Sequence, residues 1–398
     1  MVASSTGEPA SSTARLVAER SRHADAWTLD PSIRFLNHGS FGACPRAVLS
    51  AQAALREQLE RQPLRFLYRE LEGRLDHARE RLADFVGARA RDLAFVTNAS
   101  AGVNTVLRAL ELEPGDELLV TDHEYNATRN AAEFAARRAG ARVRVARLPF
   151  PLRDPDELCA RVLEAVGPRT RLAVLDHVTS QTGLVVPVER LVPQLRERGV
   201  ETLVDGAHAP GMLPLDLDSL GADYYTGNCH KWLCSPKGAA FLYAAPGHDE
   251  LLEPLVVSHG WSRAHDESSK FLNNFNWTGT MDPSAYISVG AAVRFQREHN
   301  WQAVRAACHQ LARQTRDRIN EMTGLEPVCP DSTDWFSQMF VARLPKATWE
   351  KLGESLWPEF KIEVPLPLWN DEPLIRISVQ AYNTPEDMER LLGAIEKY

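Results

Sequence analysis

The strongest constraint on the fold is a regular alternation of short apolar runs with helical patterns, which begins at Leu93. Segments with helical periodicity separate the apolar runs, which occupy residues 93–97, 117–121, 142–148, 170–176 and 201–205. Strands that are regularly separated by helices form a mostly parallel sheet covered on both faces. The pattern therefore predicts an α/β fold, in which ligands collect at the carboxyl ends of the strands.

The domain organisation follows from the length and from a change of pattern. A chain of 398 residues exceeds what one ordinary core supports, so two domains are expected. We predict a large domain at 25–285, whose N-terminal helices can pack on the other domain, and a small C-terminal α+β domain at 286–398. Residues 1–24, which begin with a Ser/Thr/Ala-rich stretch, are interpreted as a flexible tail.

Composition excludes several classes of function. The net charge of −8 and the absence of a long basic run argue against binding to nucleic acid or to an anionic membrane surface. No apolar stretch approaches the roughly 20 residues that a membrane span needs. The cysteine pair Cys229 and Cys234 lacks the second ligand pair of a structural zinc site, so no metal is expected. Six scattered cysteines fit reduced thiols in a cytoplasmic protein.

An acid and a lysine form the most informative pair. Asp205 ends a buried strand pattern, and Lys231 follows the next one, so both could face one pocket at the edge of the sheet. A carboxylate at ~4 Å from a protonated ring nitrogen is worth about 4 kcal/mol at an effective dielectric of ~20, or roughly three pK units. A buried lysine can form a Schiff base once it is deprotonated. The pair suggests a bound aromatic cofactor with an aldehyde, but a turn-capping aspartate and a solvated lysine explain the spacing equally well.

Further polar residues fall at the same predicted edge, namely Ser100, Tyr125 and Ser180. Small residues at 98–102 open a helix and could bind an anion through free N–H groups, although plain capping by Asn98 or Ser100 is the simpler interpretation. The loop at 37–42 holds two glycines, which allow a close approach to a ligand or simply form a turn before a helix.

Two motifs carry a family resemblance. The run Asp205-Gly206-Ala207-His208, together with Asn228-Cys229-His230-Lys231, resembles the signature of fold-type I pyridoxal-phosphate enzymes of the class V aminotransferase family. Within that family the chain is most similar to the isopenicillin N epimerase group and to cysteine desulfhydrase-like proteins. The similarity runs from Phe35 to the C-terminus and includes 65–70, 277–282 and 374–378. It implies a large domain with a mostly parallel, seven-stranded sheet and pyridoxal 5'-phosphate as the cofactor.

The resemblance also implies roles for individual residues. Lys231 would bind the cofactor's aldehyde and move the proton at the substrate's α-carbon, and Asp205 would pair with the ring nitrogen. His208 and Ser180 would lie near the phenolic oxygen. Tyr125 would stack on the ring, with His123 as a rival for that position. The phosphate would be surrounded by Ala99, Ser100, Asn228 and His230.

A homodimer with shared active sites is implied too, because Gly279 and Thr280 would reach the phosphate of the neighbouring subunit. Arg376 would bind the α-carboxylate of a small amino-acid substrate through a bidentate pair. The substrate would be bordered by the loop residues Asn37, His38, Gly39 and Ser40.

One departure from the family bears on the reaction. Cysteine desulfurases of this family carry a persulfide-forming cysteine shortly before the carboxylate-binding arginine, and residues 364–370 here contain none. Cys308 and Cys329 are interpreted as packing residues, so desulfuration through a protein persulfide is disfavoured.

Three functions stay open at this stage. The leading one is removal and return of the α-proton of an amino-acid group, as in epimerisation. The alternative is expulsion of a β-substituent by a C–S lyase or cysteine desulfhydrase. A non-catalytic regulatory protein is disfavoured, because Asp205, Lys231 and Arg376 are all present.

Overall fold

The computed structural model describes residues 21, 23–262 and 269–398, so most of the predicted tail at 1–24 lies outside the described residues. The strands are β1 (Arg34–Phe35), β2 (Leu93–Val96), β3 (Glu117–Thr121), β4 (Arg142–Ala146), β5 (Thr170–Asp176), β6 (Glu201–Asp205), β7 (Tyr224–Asn228), β8 (Ala240–Ala244), β9 (Met339–Arg343), β10 (Ile362–Glu363), β11 (Leu368–Trp369) and β12 (Glu372–Ser378).

The α-helices connect and cover these strands. They are α1 (His38–Phe41), α2 (Arg46–Arg61), α3 (Leu71–Val86), α4 (Ala99–Ala109), α5 (Asn126–Ala139), α6 (Pro155–Glu164), α7 (Val188–Arg196), α8 (Leu217–Leu220), α9 (Lys270–Asn276), α10 (Ser284–Ile287), α11 (Val289–Glu298), α12 (Trp301–Thr323), α13 (Lys346–Ser355) and α14 (Pro385–Glu396). Short 3₁₀ turns lie at Ala24–Ala26, Ala90–Asp92, Asp249–Leu251 and His259–Ser262, and π-helical turns at Arg65–Glu70 and Leu356–Phe360.

A seven-stranded sheet forms the centre of the molecule, with the strand order β2-β8-β7-β6-β5-β3-β4. All neighbouring strands run parallel except β8, which is antiparallel to both β2 and β7. The strands β3 and β7 are buried at every position, as expected for a sheet covered by helices on both faces. The predicted α/β class with a mostly parallel seven-stranded sheet is therefore confirmed.

The register of the sheet brings the acidic strand ends together. Asp176, the last residue of β5, is the direct partner of Asp205 at the end of β6. Asn228 ends the next strand, β7, and the turn that follows carries Lys231. These residues therefore lie along one carboxyl edge of the sheet, where a ligand site is expected.

A smaller antiparallel sheet, in the order β11-β12-β9, lies in the C-terminal part of the chain. The short strand β1 pairs in parallel with β10, and Asn37 forms a bridge with Ser378 at the end of β12. The N-terminal segment is thus joined to the C-terminal part and carries the loop at 37–42 to the central sheet. The predicted domain boundary at 285 stays a prediction.

The loop at 37–42 packs closely on the segment that holds Lys231. Gly42 has a left-handed φ of 69°, and a Cβ there would lie 2.2 Å from the carbonyl oxygen of His230. Only glycine allows this combination of backbone conformation and close approach. Across the described ranges, no helix combines the length and apolarity that crossing a membrane would require.

Candidate active site

Lys231 lies in the turn after β7, with its Nζ 3.2 Å from His208 Nε2. Burial lowers the pKa of the lysine to about 8, while the charge of Asp205 opposes this shift. The Nε2 atom of His38 lies 3.1 Å from the backbone carbonyl oxygen of Lys231. The amine is thus held in place and is easily deprotonated, as a Schiff-base lysine must be.

Asp205 is nearly inaccessible and is held by two donors. Its Oδ2 accepts a hydrogen bond from Thr128 Oγ1 at 2.8 Å, and its Oδ1 accepts one from the Ala207 N–H at 3.0 Å. Burial raises the pKa of the carboxyl, whereas both hydrogen bonds and the charge of Lys231 lower it. A cationic partner in front of this carboxylate would offset the cost of burying its charge.

Two further buried acids lie beside Asp205. Oxygen atoms of Glu124, Asp176 and Asp205 all lie within 4.8 Å of one another. Burial and the charges of their neighbours raise the pKa of Glu124 and of Asp176 well above the ordinary value. Like charges this close cannot all be ionised, so at least one of these acids holds a proton at neutral pH. Neither acid was predicted as a site residue from the sequence, because only the fold turns Glu124 toward the strand ends.

The N-terminus of α4 is tied to the end of β7. The Ala99 N–H donates to Asn228 Oδ1 at 2.8 Å, and Asn98 caps the helix by accepting from the Ala101 N–H at 2.8 Å. Ser100 lies half-buried in this first turn, where the helix dipole favours an anion. His230 lies two residues after Asn228, and its Nδ1 is 2.9 Å from the carbonyl oxygen of Ala239.

Arg376 projects from β12 and is only 7 % exposed. Its guanidinium donates to the carbonyl of Ser180, to Ser40 Oγ at 2.9 Å and to Asn37 Oδ1 at 3.4 Å. Burial lowers the pKa of Arg376 to about 10, with Tyr125 acting in the opposite direction. The residue remains cationic at neutral pH although its hydrogen-bond partners are all neutral. A buried cation in this state calls for an anionic ligand.

The structure separates the predicted substrate-loop residues. Asn37 and Ser40 contact Arg376, as described above. His38 is fully buried, with its Nδ1 3.0 Å from the hydroxyl of Tyr382. Gly39 is packed as well, because a Cβ there would lie 2.7 Å from the sulfur of Met339. His38 and Gly39 therefore support the loop, and Asn37 and Ser40 face the cation.

The two candidates for stacking on the ring have different surroundings. Tyr125 is 43 % exposed at the start of α5, within electrostatic range of Arg376. His123 is buried, packs at a tilt against Trp369 with 4.2 Å between ring centroids, and places Nδ1 2.8 Å from Thr182 Oγ1. Burial lowers the pKa of His123 to about 4. The choice between Tyr125 and His123 stays a prediction.

Gly279 and Thr280 lie on a turn before α10. Gly279 has a φ of 115°, and Thr280 is exposed. Within the described part of the chain, no hydrogen bond joins either residue to the cluster around Lys231. Their predicted contact with a neighbouring subunit stays a prediction.

Pyridoxal phosphate fits the residues present. It needs a lysine for its aldehyde, an acid for its ring nitrogen and donors for its phosphate, and Lys231, Asp205 and the first turn of α4 supply these groups. Two buried nitrogens, Nε2 of His123 and Nε of Arg376, have no hydrogen-bond partner among the described residues. Buried polar groups are rarely left unpaired in a complete site.

The lowered pKa of Lys231 leads to a pH prediction. Only the unprotonated amine attacks an aldehyde, so covalent capture of pyridoxal phosphate by cofactor-free protein should accelerate with pH, with a midpoint at about 8. Rapid mixing at a series of pH values, followed by absorbance, measures this midpoint. A midpoint near the ordinary lysine value of 10.5 would show that burial does not act on the amine as described.

Comparisons with known proteins agree with this site. The family model for aminotransferase class-V matches residues 44–391. Isopenicillin N epimerase of Amycolatopsis lactamdurans is 41% identical over 93% of this chain and 96% of its own length. The isopenicillin N epimerase of Streptomyces clavuligerus is 38% identical over 92% and 95%. A probable chloroplastic L-cysteine desulfhydrase of Arabidopsis thaliana is 31% identical over 96% and 85%.

Solved structures show the same fold. A mutant of C-DES with glycine covalently linked to its PLP cofactor superposes with a TM-score of 0.77, at 22% identity, over 92% of this chain and 97% of its own. Cysteine desulfurase CsdA of Escherichia coli gives a TM-score of 0.77 at 20% identity, over 95% and 98%. At these identities the likeness concerns the fold alone.

Proposed function

Since the chain belongs to the aminotransferase class-V family and is an enzyme that uses pyridoxal 5'-phosphate, we propose that it inverts the configuration at the α-carbon of an amino-acid group. The observation that carries this proposal is the near full-length identity of 38% and 41% to two isopenicillin N epimerases. The geometry supports it, because an easily deprotonated Lys231 and the cationic Arg376 interact electrostatically in one buried site. The substrate we propose is isopenicillin N or a metabolite with a similar amino-acid side chain.

Each part of the site has a proposed role toward the cofactor. Lys231 would bind the aldehyde, Asp205 would face the ring nitrogen, and His208 and Ser180 would lie near the phenolic oxygen. Ala99, Ser100, Asn228 and His230 would hold the phosphate. When bound, pyridoxal phosphate supplies an electron sink that stabilises the charge left on the α-carbon after its proton is removed.

Recognition of the substrate falls to Arg376. Its guanidinium has the planar arrangement of N–H groups that matches a carboxylate, and Asn37 and Ser40 fix its orientation. A substrate held in this way presents its α-carbon at a defined position. Lys231 Nζ then takes the α-proton on one face of the substrate.

Inversion needs a proton on the opposite face as well. We propose Tyr125 for this role, because it is accessible to solvent and lies within electrostatic range of Arg376. His123 is the competing group, since its buried Nε2 has no hydrogen-bond partner among the described residues. Either group must exchange its proton with Lys231 or with solvent between turnovers to balance the reaction.

A prediction for Arg376 follows from its role. Arg376→Lys keeps the positive charge but cannot form a bidentate pair with the substrate's carboxylate. We therefore expect kcat/KM to fall about 10- to 100-fold, mainly through a higher KM. Steady-state kinetics with isopenicillin N measures the effect. Arg343→Lys is the matched control, because Arg343 in β9 pairs with Glu372 and is not assigned to the site. An unchanged KM in Arg376→Lys would remove this residue from substrate binding.

Incubation with isopenicillin N in D₂O tests the proposed reaction. We expect both diastereomers to appear, with one deuterium at the inverted α-carbon and no ammonia or keto acid. Release of hydrogen sulfide, ammonia and pyruvate from L-cysteine, without inversion of isopenicillin N, would identify a C–S lyase instead. The same exchange in Tyr125→Phe and in His123→Asn identifies the opposite-face group, whose loss stops inversion but not exchange of the starting isomer.

Desulfuration through a protein persulfide receives no support from the cysteines. All six thiols are buried and unpaired. Burial raises the pKa of every one of them, to about 11 for Cys329 and to about 12 for Cys44 and Cys308. A persulfide is formed by an accessible thiolate, which none of these residues provides. The unpaired thiols also support our proposal of a cytoplasmic location.

We further propose a homodimer with shared active sites, which would bring Gly279 and Thr280 of one subunit to the phosphate of the other. Several large apolar side chains are exposed, including Tyr68 at 82%, Phe41 at 74% and Leu64 at 60%. Exposed apolar groups of this size are typical of protein interfaces. Phe41 follows directly on Ser40, so an interface there would also border the substrate loop.

A further inference from the structure

The residue after the cofactor lysine makes an unexpected contact. Trp232 is fully buried, and its indole N–H donates to His208 Nδ1 at 3.2 Å. An indole nitrogen can only donate a hydrogen bond. The Nδ1 atom of His208 must therefore accept, and it carries no proton.

The other ring nitrogen of His208 must then carry the proton. Burial lowers the pKa of His208 well below the ordinary value, and the charge of Arg376 lowers it further, so the ring is neutral. A neutral imidazole has one N–H, and with Nδ1 accepting, that N–H is at Nε2. This atom lies 3.2 Å from Lys231 Nζ. A hydrogen bond from Nε2–H can form only if the lysine nitrogen offers a lone pair.

We propose that Trp232 is a positioning residue that locks His208 in the Nε2–H tautomer and thereby favours the free-amine form of Lys231. The chain of donors runs from the indole N–H through the imidazole to the lysine nitrogen. An imidazole locked in this way presents a donor, and not a second lone pair, at the reacting end of Lys231. The inference deepens the proposed function at Lys231, but it concerns the resting protein and does not depend on which reaction follows.

The surroundings fix the indole. The backbone carbonyl of Trp232 accepts from Gln296 Nε2 at 2.8 Å. The indole ring of Trp232 packs against the imidazole of His38, with 4.9 Å between the ring centroids. Val178, Met212 and Met339 complete a small apolar cluster around it. Because Trp232 is adjacent to Lys231 in the chain, any shift of the indole would also move the lysine.

Trp232→Phe removes the N–H and keeps an aromatic ring in the cluster. Trp27→Phe is the matched control, because Trp27 is also buried and its indole also donates one hydrogen bond of 3.2 Å, to the carbonyl of Ala43. The tautomer is read from ¹⁵N NMR of cofactor-free protein labelled at histidine nitrogens. The His208 signals are assigned by their loss in His208→Asn.

We expect the wild-type protein and Trp27→Phe to show a protonated Nε2 and an unprotonated Nδ1 for His208. In Trp232→Phe the two nitrogen shifts should move toward each other as tautomers mix. The midpoint pH for covalent capture of pyridoxal phosphate should rise by roughly 0.5–1 unit, the equivalent of one lost hydrogen bond.

Two outcomes would overturn the proposal. One is a wild-type His208 with its proton on Nδ1, which decides the matter even if Trp232→Phe fails to fold. The other is a folded Trp232→Phe protein with the wild-type tautomer and the wild-type midpoint. Both readouts are taken before any substrate is added, so they are independent of whether isopenicillin N is inverted.

Discussion

Lys231→Ala is expected to lower kcat/KM by about 10⁴-fold or more, because this residue supplies both the amine that binds the cofactor and the group that moves the α-proton. The fold should persist, since removing the amine leaves only the Nε2–H of His208 without its partner. Inversion of isopenicillin N and the far-ultraviolet circular dichroism spectrum measure the two effects.

Lys237 supplies the control for this variant. It is a second lysine, exposed and six positions along the chain, and its Nζ donates to the carbonyl of Gly42 at 2.9 Å. Lys237→Ala should keep activity within a few-fold of the wild type. If Lys231→Ala kept even about one hundredth of the wild-type activity, the assignment of the cofactor lysine would be wrong.

Asp205→Asn is expected to lower kcat by about 10³-fold. A carboxylate at ~4 Å from the ring nitrogen contributes about 4 kcal/mol at an effective dielectric of ~20, which corresponds to roughly three pK units. The neutral amide cannot keep that nitrogen protonated, so the cofactor loses most of its capacity to accept electrons. Steady-state kinetics and the pH dependence of the cofactor's absorption spectrum measure the change.

A distant buried acid is the control for Asp205. Asp92→Asn removes the charge of a carboxyl that is paired with Arg89 near the start of β2, away from the strand ends that form the site. It should affect stability and not kcat. A loss of less than about tenfold in Asp205→Asn would show that this carboxylate does not control the ring nitrogen.

The central sheet could be predicted from the sequence because its strands are short apolar runs separated by helical patterns. The order of the strands and the reversed direction of β8 could not be predicted, since they depend on which strands pair. The pairing of β1 with β10 was even less accessible from the sequence. Each strand has two residues, and the pair joins segments more than 300 residues apart, so neither strand carries a periodic signal of its own.

The candidate site was also only partly predictable from the sequence. Asp205 and Lys231 could be placed at one edge because the ends of parallel strands meet there. The orientation of a side chain could not be predicted where contacts with residues distant in the chain determine that orientation. His38 is turned inward by Tyr382, 344 residues away, and Glu124 lies beside Asp176 only because the loop after β3 folds onto the end of β5. Trp232 stands in a conspicuous His-Lys-Trp run, but its bond to His208 requires the fold.

The most direct test of the account is reduction of the wild-type protein with borohydride in the presence of pyridoxal phosphate, followed by peptide mapping. Reduction makes the bond between the cofactor and its lysine permanent, so the modified residue can be identified by mass. We predict loss of the yellow absorption and one modified lysine per chain, Lys231. A label on Lys237 or another lysine, or a protein that never becomes yellow, would contradict the site described above.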